Sequence, residues 1–150
     1  MDFKDISILH TNDMHSYMEN FPKKAQLITD IQACNEKRGI PTFVFDSGDL
    51  FSGNIFFNMY RGVKEIELMN RIGCQAMTLG NHEFDRGWQE LLRLQRGGCE
   101  KFTVREPCQI SKPFEGARFG FLAANTLRED GQPLLPATGI KRFTQGGVTV

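Results

Sequence analysis

The strongest constraint on the fold is an alternation. Short apolar runs take turns with amphipathic stretches, and each run ends in a polar loop. ISILH (6–10), TFVF (42–45) and AMTL (76–79) read as strands, short and bounded by turn residues. Between the first two, Pro22 to Lys37 places Ala25, Leu27, Ile28, Ile31 and Ala33 near helical spacing, and Gly39-Ile40-Pro41 stops the pattern. Val63 to Arg71, with Ile66, Met69 and Ile72, predicts a second helix closed by Gly73, and Trp88 to Gln95 a third, ended by Gly97-Gly98. ARFGFLAANT (117–126) reads as a fourth strand and IKRFTQGGVTV as a terminal hairpin, with 97–116 an irregular excursion before them. Strand and helix in strict turn is the pattern of an α/β domain with a mainly parallel sheet. Such sheets bind ligands at the carboxyl ends of their strands.

Bulk properties narrow the function classes. The 150 residues suit one domain or part of a larger one. Lys+Arg and Asp+Glu are both 18, so no overall field recruits a nucleic-acid polymer or a membrane surface. An anionic substrate must then be held by local devices. No apolar run reaches the roughly 18 residues of a membrane span, and the N-terminus, with Asp2 and Asp5, lacks a signal-peptide pattern. As written the chain is expected in the cytoplasm; the alternative is an exported protein whose leader has been removed. The four cysteines are scattered, and separate free thiols are preferred to a Cys99–Cys108 disulfide or metal hook.

The chemistry collects at three consecutive strand ends. They carry D-x-H (Asp13, His15), G-D (Gly48, Asp49) and G-N-H-E-x-D (Gly80 to Asp85). Carboxylate and imidazole together suit a divalent ion such as Zn²⁺ or Mn²⁺. Asp13 and His15 can chelate one ion, and Asp49 can bridge two ions about 3.5–4 Å apart. Asn81 can supply an amide oxygen to the second. A bland alternative has Asn81 and Asp85 cap the following helix; the other two strand ends argue against it. His10 reads as a structural histidine, Glu83 as structural, and Phe43, Phe45, Phe119 and Phe121 as core.

ILHTNDMHS, FDSGDLFSG, LGNHEFDRG and FLAANT together resemble the N-terminal blocks of the metallophosphoesterases (calcineurin-like phosphatases), closely those of the 5'-nucleotidase branch. The resemblance implies a two-sheet sandwich flanked by helices (αββα). It implies two divalent ions (Mn²⁺, Zn²⁺ or Co²⁺), with Asp13 and His15 on the first, Asp49 bridging and Asn81 on the second. His82 becomes the catalytic imidazole, Asp85 its orienting carboxylate, and Asn81, His82 and Asn125 border the substrate. The implied reaction is release of phosphate from nucleoside monophosphates or related esters by a metal-activated hydroxide. The partner is then a small phosphoester rather than a polymer.

Members of that family complete the second site with two later histidines, whereas this chain has His10, His15 and His82. Residues 1–150 are therefore expected to be the N-terminal portion of a catalytic domain, with the second metal site incomplete and the C-terminal nucleotide-binding domain absent. The alternative function is an inactive metal- or anion-binding module, or a piece completed by another chain, associating through an exposed sheet edge.

Overall fold

The computed structural model describes residues 5–99 and 114–142, together with the backbone of 144–145 and 148–149. Its main body is one four-stranded parallel sheet in the order β1-β2-β3-β4. The strands are β1 (Ser7–Thr11), β2 (Thr42–Asp46), β3 (Ala76–Met77) and β4 (Gly120–Phe121). Helix α1 (Phe21–Lys37) joins β1 to β2, and α2 (Ile55–Tyr60) with α3 (Val63–Arg71) joins β2 to β3. A 3-10 turn (His82–Phe84) and α4 (Trp88–Arg96) follow β3. The terminal hairpin is present as the antiparallel pair β5 (Thr144–Gln145) and β6 (Val148–Thr149). The mixed α/β class is as expected. Among the described residues the second sheet is this hairpin alone.

Parallel pairing sets Ile8 beside Phe43 and His10 beside Phe45, so alternate residues fall on opposite faces. One face carries Val44, Met77 and Phe121, all fully buried, and packs in the cluster that holds Ile66 and Met69 of α3 and Ile28 of α1. Covering that face with amphipathic helices removes both apolar surfaces from water at once. The other face is open at the β1 edge, where Ile8 and His10 are exposed. His10 is thus a surface residue rather than a satisfied structural one. Phe43, Phe119 and Phe121 are core, as expected, while Phe45 is half-buried and stacks on Phe43.

Three expectations need correction. The third and fourth strands were expected over 76–79 and 117–126, but ladder pairing spans only 76–77 and 120–121, because the chain turns at once into site loops. Helix α2 was not expected: IFFNMY lacks helical patterning, and its start depends on Asn54 Oδ1 accepting from the Phe56 N–H at 2.7 Å. Cys99 is disulfide-bonded, so the four thiols are not all free. Cys34 and Cys74 are free, and burial pushes the Cys74 thiol up to about 12. The excursion at 97–116 lies mostly outside the described residues. Its base is pinned: the Gly98 N–H donates to the Phe114 carbonyl at 2.7 Å and the Ala117 N–H to Leu94 at 3.0 Å.

Candidate active site

All four parallel strands deliver their carboxyl ends to one edge of the sheet, and the loops there continue to bond beyond the ladder. The Asp13, His15 and Ser16 N–H groups donate to the Gly48, Asp49 and Leu50 carbonyls, each at 3.0 Å. The Thr78 N–H donates to the Asp46 carbonyl, also at 3.0 Å. Three loops from different strands therefore behave as one polar slab. Beneath it the buried Asp46 carboxylate accepts from the Thr11 hydroxyl and the Gly48 N–H. Burial raises the Asp46 carboxyl above its ordinary range.

The first loop alternates. Met14 and Ser16 are buried, whereas Asp13 and His15 project outward with Asp13 Oδ1 3.8 Å from His15 Nε2. That projection requires left-handed backbone at Asp13 (φ 50), His15 (φ 45) and Ser16 (φ 57). Non-glycine residues held there cost of order 1–3 kcal/mol each and cluster at functional sites. Asp49 shares the conformation (φ 52). Ligand atoms of Asp13, His15 and Asp49 all lie within 4.8 Å of one another. Two carboxylates and an imidazole so close form a donor set that fits one divalent ion.

Asp49 is also tied to the third loop. Its Oδ1 accepts the His82 N–H at 3.0 Å. A Cβ at Gly80 would stand 2.1 Å from that same oxygen, and one at Gly48 would stand 2.3 Å from the Gly80 nitrogen. Only glycine lets the two turns approach this closely. The 3-10 turn begins at Asn81, one residue before the N–H that Asp49 holds, and Asn81 is exposed. Helix α4 starts at Gly87 with no side-chain cap, so the capping role for Asn81 and Asp85 is not what the structure shows.

Asp85 instead meets His82, with Nδ1 to Oδ2 at 2.8 Å. That hydrogen bond holds the imidazole pKa above its ordinary value, with the charges of Asp85, Asp49 and Glu83 adding to it. It holds Asp85 correspondingly low, helped by the Ser52 side chain. The His82 ring stands edge-on to His15 with centroids 5.0 Å apart, so the imidazole borders the ligand group. Asn125 sits exposed in the turn after β4, at the same end of the sheet. No hydrogen bond ties it to the His82–Asp49 cluster among the described residues.

Sequence reasoning read Glu83 as structural, and the structure agrees. Its buried carboxylate accepts the Asp49 and Leu50 N–H groups at 2.9 Å and the Gly80 N–H at 2.6 Å, joining the second and third loops. Burial raises its pKa despite those bonds. It missed Glu65 altogether, a fully buried carboxylate bonded to Ser16 at 2.6 Å. The available signal was position: Glu65 shares the apolar stripe of Met69 and Ile72 on α3.

The family profile described as calcineurin-like phosphoesterase matches residues 6–137. A protein of the pqq-V 5' region of Acinetobacter calcoaceticus is 43% identical over 108 residues, which cover 70% of this chain and 52% of that one. The human 5'-nucleotidase is 35% identical over 103 residues, covering 59% of this chain and 18% of its own. The 5'-nucleotidase precursor of Thermus thermophilus superposes with a TM-score of 0.67 at 26% identity, over 96% of this chain and 27% of that one. The chain thus spans about half of the first relative and a much smaller share of the nucleotidases. The loops that sequence singled out and the parallel sheet that gathers them have one explanation: this chain belongs to the calcineurin-like phosphoesterases.

Proposed function

We propose that the chain carries a metal site and the catalytic loop of a phosphoester hydrolase of 5'-nucleotidase type, acting on nucleoside monophosphates or related small esters. The observation that carries this reading is one juxtaposition. Asp13, His15 and Asp49 converge within 4.8 Å, and the His82–Asp85 pair borders them. Asp13 and His15 would hold the first divalent ion (Mn²⁺, Zn²⁺ or Co²⁺), Asp49 both ions, and Asn81 the second. Such ions supply a nucleophile at neutral pH and offset charge on the phosphoryl oxygens.

The protein residues do the rest. The Asp85 carboxylate raises the His82 pKa and so favours its charged form. The cationic ring can then donate a proton to a phosphoryl or leaving oxygen. The bond from the His82 N–H to Asp49 fixes the distance between the proton donor and the ligand group. Asn125, exposed in the turn after β4, would border the ester group. Residues 1–150 are read as the N-terminal portion of the catalytic domain, the nucleotide-binding domain of the nucleotidases lying outside them.

A second reading has a specific observation behind it. Among this chain's histidines, His10 is exposed on β1 and stands outside the ligand group, so among the described residues a second ion would have only Asp49 and Asn81. That favours a piece completed by further histidines, or a one-ion binding module. No helix among the described residues is long and apolar enough to cross a membrane. The Cys99 disulfide favours an oxidising, exported setting over the cytoplasm.

The test is phosphate release from AMP with Mn²⁺, beside His82→Ala and metal analysis. The variant is expected to be slower by about 10²–10⁴-fold. Equal rates would sink the catalytic reading. One tightly held ion and no turnover would favour the second.

A further inference from the structure

The Asp13–Ser16 loop needs an external hold. Asp13, His15 and Ser16 are left-handed without being glycine, and such a run persists only where its surroundings over-determine it. Backbone bonds to Gly48, Asp49 and Leu50 supply part of that hold. Lys24 Nζ reaches Met14 Sδ at 3.4 Å, and a buried side-chain tie comes from 49 residues away: the Ser16 hydroxyl donates to Glu65 Oε1 at 2.6 Å, and both residues are fully buried.

Glu65 is an improbable choice for packing alone. It lies on the buried face of α3 with Val63, Ile66 and Met69, where an apolar side chain would fill the space without desolvating a carboxyl group. Its second oxygen, Oε2, has no hydrogen-bond partner among the described residues. A buried polar group half satisfied is an energetic liability. Among the described residues its side-chain partner is Ser16, the residue beside His15.

We propose that Glu65, acting through Ser16, is a positioning residue that presets Asp13 and His15 to take up a divalent ion. The proposal rests on the metal-site reading above. Glu65 touches neither ion nor substrate; it fixes the backbone from which the two ligands project. Outer partners of this kind typically alter metal affinity by about 10–100-fold.

The experiment titrates Co²⁺ into the whole chain and follows visible absorption, which reports ligand geometry, with circular dichroism as the check on folding. Ser16→Ala removes only the hydroxyl and is expected to weaken Co²⁺ binding by about 10–100-fold and change the shape of the Co²⁺ bands. Glu65→Leu should do the same, and the double variant should be no worse than either single one. Glu65→Gln keeps an acceptor for Ser16 and should retain the parent spectrum. Should Glu65→Leu fail to fold, Ser16→Ala and Glu65→Gln decide the matter. A folded Ser16→Ala with the parent's affinity and spectrum overturns the positioning role while leaving the metal site intact. A parent chain that takes up no Co²⁺ overturns both.

Discussion

Two segments of the site each offer a histidine and a carboxylate, and they are built in opposite ways. The Asp13–Ser16 loop is strained and held from outside, by β2-loop carbonyls and by α3. The Asn81–Asp85 turn uses ordinary right-handed backbone at Asn81 and Asp85 and closes on itself, Phe84 N–H to Asn81 at 3.1 Å and Asp85 N–H to His82 at 3.3 Å. It also reaches outward, through the Glu83 carboxylate and the His82 N–H, to grip the loop after β2. One segment is held and the other holds. Ligand placement in such a site is therefore a property of a chain of contacts running from turn to β2 loop to β1 loop, rather than of each motif alone.

The largest effect should come from the link between them. Asp49→Ala removes the proposed shared ligand and the acceptor of the His82 N–H together. Calorimetric titration with Mn²⁺ is expected to show affinity weaker by about 100-fold. Retained affinity would mean that Asp49 is not a ligand. Next is Glu83→Ala, which leaves one buried N–H group (Leu50) and two partly buried ones (Asp49, Gly80) without an acceptor. At about 1–3 kcal/mol for a buried orphaned group and less for the other two, urea unfolding should show a loss of about 2–4 kcal/mol. Amide exchange at His15 and Ser16 should quicken with it, although neither touches Glu83. Unchanged exchange there would break the idea that the turn holds the loop indirectly.

The smallest effect concerns pH. Burial raises the Glu65 carboxyl above its ordinary 4.5, so the folded chain binds more protons than the unfolded one above that value. Its contribution is greatest below about 4.5 and falls as pH rises through the raised folded value. Asp46 and Glu83 slope the same way, so the informative quantity is the difference between parent and Glu65→Gln. The variant's stability should decline less steeply with rising pH. Parallel curves would show that Glu65 does not change its proton affinity on folding.

Much of this arrangement was legible in the residues. β1, β2 and the helices at 21–37, 63–71 and 88–96 announce themselves because periodicity reports which face is buried. Asp13, His15, Asp49 and His82 stand out because they follow apolar runs at spacings with chemical use. Asn81 was readable only within that pattern, and Asn125 less so, for β4 is short and its loop carries no matching motif. The left-handed backbone at Asp13 and His15 left no trace, since neither glycine nor a known turn sequence marks it. Glu65 was hidden for a different reason. Its partner is 49 positions away, and no local pattern encodes a contact of that range. α2 was missed because it depends on one cap rather than on an apolar stripe.

The pinned base of the excursion has a consequence for how the chain tolerates change. Gly98 and Phe114 are bonded where the segment leaves and returns, so its ends are fixed whatever lies between them. The junction is also closely packed: a Cβ at Gly97 would stand 2.5 Å from the Phe114 carbonyl oxygen, and one at Gly116 would stand 2.5 Å from the Gly97 nitrogen. Tolerance should therefore be lowest at these two glycines, where any side chain would push the departing and returning chain apart.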